Sequence, residues 1–171
     1  MMRWCAAAAL VGGFVVLGSA GFVLAQDAGA DAKAASDRAA ALDPVGYSHV
    51  KPVCTACHSA QNFLHSKSWK DWQNTFSRMQ ANGARATPEE WGHIYDYFRA
   101  NLTLLNPNRA DEEELMEVLG VDEKTAIEIF RRHYDKPFDS AEDLESVPGV
   151  KREAVEKIKP RLLFDRAGQG R

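Results

Sequence analysis

Cys54-Thr55-Ala56-Cys57-His58 concentrates more reactive side chains than any other stretch of this chain. Two thiols three residues apart share one face of a helical turn, and an imidazole follows at once. That spacing lets both sulfurs reach the two vinyl groups on one porphyrin edge, while the histidine swings beneath the iron as proximal ligand. C-x-x-C-H is the attachment pattern of c-type haem. Thioether bonds also retain a haem in a unit too small to enclose it. The motif implies one covalent haem c, with Cys54 and Cys57 holding the cofactor and His58 the metal. Three other chemistries use the same residues. A zinc site would need further ligands from scattered histidines, a thioredoxin-like pair would need a strand–helix setting, and a plain disulfide would need nothing more.

The N-terminus narrows the compartment. Arg3 precedes an uncharged apolar stretch, Ala6 to Leu17, then Gly18-Ser19-Ala20-Gly21 and the small-residue site Val23-Leu24-Ala25. This reads as an export signal over residues 1–25. Cys5 to Ala25 is also 21 uncharged residues, long enough to span a bilayer as a retained anchor. Its Gly and Ala content favours cleavage, and Cys5 would leave with the signal. The mature protein would be periplasmic with two cysteines, which in an oxidising compartment must be oxidised, metal-bound or capped.

The 171 residues carry 45% hydrophobic and 26% charged side chains, with net charge -3. A sequence pI near 6.0 excludes a broadly basic nucleic-acid coat or a polybasic membrane binder. Residues 26–42 (QDAGADAKAASDRAAAL) lack aromatics and read as a flexible linker or frayed helix. A first unit spans 43–105, Asn106-Pro107-Asn108 punctuates the chain, a second unit spans 106–165, and 166–171 is a polar tail. The first unit holds 6 Lys/Arg against 5 Asp/Glu, a balance of +1; the second holds 10 against 16, a balance of -6.

Both units look helical, so the predicted fold class is all-α. Thr87-Pro88-Glu89-Glu90 has the residues of a helix start with a capping box. Trp91, Ile94, Tyr95, Phe98 and Leu102 then form one apolar face, as Trp69, Trp72, Phe76 and Met79 do on another helix. With CTACH near its start, WKDWQNTFSRMQANGA in its middle and TPEEWGHIYDYF near its end, the first unit resembles the small monohaem cytochrome c family over about sixty residues. That resemblance implies that the last helix packs across the first and that a methionine between them completes the iron. Met79, the one methionine between 43 and 105, is then the sixth ligand, and Gly83 lets the chain turn beyond it. The Met-Pro pair common in larger cytochromes is missing, so His49, His65 and His93 stay as alternative ligands. Trp69, Trp72, Trp91, Tyr95 and Phe98 are expected in the haem pocket or core.

In the second unit, Leu119-Gly120-Val121 and Pro148-Gly149-Val150 each precede a helix. With NPNRADEEELMEVLGV, TAIEIFRRH, KPFDSAEDLESVPGV and VEKIKPRL, this unit resembles the tandem helix-hairpin-helix domain of the ComEA-like family. Its expected core includes Leu115, Val118, Leu119, Ile127, Ile129, Phe130, Phe138, Leu144, Val147, Val155, Ile158 and Leu162. DNA-binding members clasp phosphates with a Gly-x-Gly hairpin. Here Asp122 and Lys151 replace the second glycine, and the acidic balance opposes DNA. Lys151, Arg152, Lys157, Lys159 and Arg161 form the one locally basic cluster.

Filled His/Met coordination raises the reduction potential and leaves iron no open position. The expectation is a periplasmic one-electron carrier rather than an enzyme. It would run between a dehydrogenase and an oxidase or another cytochrome, with the second unit docking a redox partner or packing on its own cytochrome. The alternatives are an extracytoplasmic DNA-binding protein with a haem extension and a haem subunit of a multi-subunit oxidoreductase.

Overall fold

The computed structural model describes residues 20–165. The expected signal, its Cys5 and the polar tail fall outside these residues, apart from 20–25. The protein is all-α: helices account for most of the chain, and no strand forms among the described residues. None of the described helices is long and apolar enough to cross a membrane.

Four helices build the first unit: α1 (Ala20–Leu42), α2 (Pro44–Cys54), α3 (Trp69–Ala81) and α4 (Pro88–Leu102). Each of the last three starts where its sequence can satisfy free N–H groups. Asp43 accepts from Gly46 N–H at 2.9 Å, Ser68 caps α3 through Asp71 N–H, and Thr87 and Glu90 cap one another at α4. Gly83 takes φ +103° just beyond α3, a left-handed turn that a side chain would strain. The core is aromatic. Phe98 meets Trp72 and Phe76 edge-on with centroids 4.6 and 5.0 Å apart, Trp72 and Phe76 stack at 6.1 Å, and Phe63 and Tyr97 flank Phe98.

Residues 26–42, expected as a linker or frayed helix, are helical throughout and belong to this core. Ala35 and Ala39 are fully buried. Tyr97 Oη donates to the Ala39 carbonyl at 2.8 Å, and Ser36 and Tyr47 hydroxyls share a 2.9 Å hydrogen bond. Alanine is the best helix former and lets a neighbouring helix approach closely, so a segment with little apolar bulk still packs.

The second unit comprises α5 (Glu112–Glu114), which runs on into a π-type turn at Leu115–Leu119, then α6 (Glu123–Asp135), α7 (Ala141–Glu145) and α8 (Arg152–Ile158). Gly120 (φ +70°) and Gly149 (φ +95°) turn the two hairpins. Its core is aliphatic around Phe138: Leu105, Leu115, Leu119, Ile129, Leu144, Val147, Val155 and Ile158 are all buried. Ile127, expected in this core, lies instead half-buried beside Lys124 and Arg131 on the outer face of α6, and Ala126 takes the inner position. The punctuating Asn108 is buried with its amide satisfied. It exchanges two 2.7 Å hydrogen bonds with the backbone of Phe138 and donates a longer one to Phe164 O.

The units are joined through residues 102–105. Leu104 N–H donates to Lys67 O at 2.8 Å, Leu105 N–H to Arg161 O at 3.0 Å, and Leu163 N–H to Leu105 O at 2.9 Å. Arg99 pairs with Glu117 and lies over the Trp69 ring, 5.1 Å from its centroid. Val118 packs against both cores.

Candidate functional site

Cys54 is the last residue of α2, and the chain then turns through residues 55–58 to place Cys57 and His58. Both thiols, the His58 ring and Met79 from α3 line one cavity of about 370 Å³. Its remaining wall is mainly apolar and aromatic, from Val53, Phe63, Trp72, Phe76, Trp91 and Phe98. A space of this size and lining is what a mostly apolar cofactor requires. Cys57 is exposed and Cys54 half-buried, so one edge of the cavity reaches solvent. The four side chains singled out in the sequence thus converge from α2, the turn after it and α3.

His58 Nδ1 lies 3.2 Å from the Ser59 carbonyl. A proton held on Nδ1 by that acceptor leaves Nε2 free to ligate, the usual way in which a ligand histidine is oriented. Phe63 meets the imidazole edge-on with centroids 6.3 Å apart. His49, His65 and His93 do not line the cavity. His49 and His93 stack on each other between α2 and α4, centroids 4.2 Å apart, and His65 stacks on the outer side of Trp72. Among the aromatics expected at the pocket, Trp72, Trp91 and Phe98 line it. Trp69 and Tyr95 line instead a groove with Arg99 and Glu117, between the two units.

Burial pushes the Cys54 thiol up to about 11. A dithiol oxidoreductase needs a stabilised thiolate, and burial works against one at Cys54. No group of three or more His, Cys, Asp or Glu side chains able to hold a metal ion occurs among the described residues. The donors brought together here are two thiols, one imidazole and one thioether around an aromatic wall.

Polar groups gather at one point of that wall, where composition gave no hint. Thr75, a cavity residue, accepts from Lys67 Nζ at 3.3 Å and from Arg78 Nη2 at 3.4 Å, and donates to Asp71 O at 2.8 Å. Lys67 also lies 4.7 Å from the Trp72 ring centroid. Two cations thus converge on one hydroxyl beside the cavity. Arg78 lies one turn along α3 from Thr75, whereas Lys67, 8 positions earlier, reaches it only once the loop before α3 is folded.

At the first hairpin of the second unit, Asp122 caps α6, its carboxylate accepting from Thr125 N–H at 2.8 Å. That hydrogen bond holds the Asp122 carboxyl below its usual range. The helix terminus that could receive a phosphate is therefore taken by the chain's own anion. In the basic cluster, Arg152 pairs with Glu145, Lys159 with Glu142 and Glu156, and Arg161 turns inward to backbone carbonyls of α4. Lys151 caps α8 without a side-chain hydrogen bond to the helix.

Two glycine hairpins, each opening a helix over one shared aliphatic core, decide the class of this unit. Residues 100–163 match the helix-hairpin-helix motif family. The helix-hairpin-helix match begins inside the last turn of α4 and covers just over a third of the chain. No cytochrome family model matches. No curated protein and no solved structure matches the chain.

Proposed function

We propose that the first unit carries one covalently attached haem c and that the protein is an exported one-electron carrier, not an enzyme in its own right. The observation that carries this reading is the convergence of Cys54, Cys57, His58 and Met79 on one aromatic cavity. Cys54 and Cys57 would hold the group through thioethers, and His58 through Nε2 and Met79 through its sulfur would be the protein ligands of the metal. The Trp72, Phe76 and Phe98 rings give this space an apolar wall, and Lys67 and Arg78, both bonded to the cavity residue Thr75, would be the nearest cations to a carboxylate at its rim. When bound, the group supplies reversible one-electron chemistry at iron, and a histidine–methionine pair favours a raised potential. Cys57, at the solvent edge, marks the face a redox partner would touch. A dehydrogenase as donor and an oxidase or another cytochrome as acceptor, in the periplasm, fit this chemistry.

The decisive experiment is export of the full chain from a host that supplies the haem-attachment machinery. Intact mass should exceed that of the mature polypeptide by one haem, with a pyridine haemochrome spectrum of the thioether type. A colourless product at the bare polypeptide mass would overturn the proposal.

The helix-hairpin-helix match favours a second reading, a ComEA-like module that binds DNA outside the cytoplasm. Against it stand the Asp122 carboxylate at the first hairpin and a unit balance of -6, since phosphate affinity depends on cationic contacts. Retention of duplex DNA on filters at low and at moderate salt separates the readings. Binding that persists at moderate salt would establish the second one.

A further inference from the structure

We propose that the helix-hairpin-helix unit is the intramolecular brace of the cavity, and that Glu114 and Arg161 are positioning residues for the helices that form its wall. This inference rests on the haem reading for its consequence at iron, though not for the contacts themselves.

The cavity depends on α3, which carries Met79, and on α4, which carries Trp91 and Phe98. Helix ends leave backbone groups unpaired. At the start of α3, Ser68 accepts the Asp71 N–H, and the second unit supplies a further acceptor: Glu114 Oε1 receives the Trp69 N–H at 2.7 Å. At the end of α4 no glycine cap is present. The Arg161 guanidinium donates instead to the carbonyls of Arg99 (3.1 Å), Ala100 (2.5 Å) and Thr103 (2.7 Å). A carboxylate thus sits at a helix N-terminus and a guanidinium at a helix C-terminus, each the favourable sign for the helix dipole. Both come from the second unit, and both act on helices of the first. Arg99, clamped between Glu117 and the Trp69 ring, joins the same α3–α4 pair at the level of these contacts.

Such a brace explains the second unit without invoking a nucleic acid. Arg161, part of the one basic cluster in the sequence, is half-buried and directs three of its donors to backbone carbonyls of this chain. The unit's partner is the cavity-bearing unit of its own chain. If the brace is loosened, α3 gains freedom to shift relative to α4, and the hold of the Met79 sulfur on the metal should weaken.

The test uses the mature full-length holoprotein and reads the affinity of its ferric form for added imidazole, which must displace Met79. Arg161→Ala should raise that affinity about tenfold, comparable to the loss of one charge-assisted hydrogen bond. Glu114→Ala should raise it less, and Glu114→Gln, which keeps an oxygen for the Trp69 N–H, should return it close to the parent. Arg131→Ala, on the far face of α6, is the control and should change nothing. A purely structural role would lower the melting temperature and leave imidazole affinity at 25 °C untouched; that result, with haem attached and Arg161→Ala within twofold of the parent, would overturn the brace. Failure of the haem reading is distinct, because the parent protein would then carry no covalent haem.

Discussion

The two units solve the problem of a small core in opposite ways. The first surrounds a cavity with large flat rings, Trp72, Phe76, Trp91 and Phe98, and places its sulfur and imidazole donors on the same wall. The second closes upon itself with Leu, Ile and Val around a single buried ring, Phe138. Aromatic rings present broad faces suited to another planar group, whereas branched aliphatics interdigitate to native density with nothing between them. The contrast teaches where chemistry resides. The first unit leaves an open space with donors on its wall, which on the haem reading is the place of the cofactor, whereas the core of the second is closed.

The largest effect should come from removing the thiols. In the double variant Cys54→Ala, Cys57→Ala, covalent haem should be lost entirely, and amide hydrogen exchange should accelerate through α2, α3 and α4. Amides of α6 and α8 should keep most of their protection; if they open to the same extent, the contrast between the units is wrong. Phe138→Ala should have the reverse footprint. Deleting this fully buried ring should cost about 3–5 kcal/mol in denaturant unfolding of the second unit. Gly149→Ala should cost roughly 1–3 kcal/mol, because φ is +95° and an added Cβ would fall 2.1 Å from Thr125 Oγ1. The smallest effect concerns Asp122. Its carboxyl titrates below the unfolded value because it accepts the Thr125 N–H. The stability it contributes is therefore full above the unfolded carboxylate pKa of about 4 and disappears as pH falls through the folded one. The melting temperature should decline across that acidic window, and Asp122→Ala should flatten the decline.

Local chemistry was legible in the residues themselves. The Thr87–Glu90 capping box and the turn glycines at 83, 120 and 149 each act within a few positions, so spacing alone announces them. The placing of Met79 in the same cavity as Cys54, Cys57 and His58 follows from the stripe Trp72–Phe76–Met79, whose members share one helix face. Long-range relations were hidden. Ala35 and Ala39 carry too little apolar surface to signal burial by composition, and only close helix approach makes them core. Trp69 shares the stripe with Trp72 yet faces the other unit, because an aromatic pattern reports that a face is buried and not what lies against it. Arg161 stood out in the sequence only as a member of a basic cluster, and its partners lie 58 to 62 residues earlier in the chain. Ile127 falls at the edge of the α6 apolar stripe, where a small rotation decides whether a side chain enters the core.

The contact between Gly149 and Thr125 ties the two halves of the tandem repeat together. Thr125 is buried in the first turn of α6, directly after one hairpin, and its hydroxyl fills the space where the other hairpin's glycine has no side chain. Neither loop can therefore be lifted or resculpted alone. Any substitution that swells one is transmitted to its neighbour, so the pair behaves as a latch with a single tongue, and its two loops should gain or lose order together.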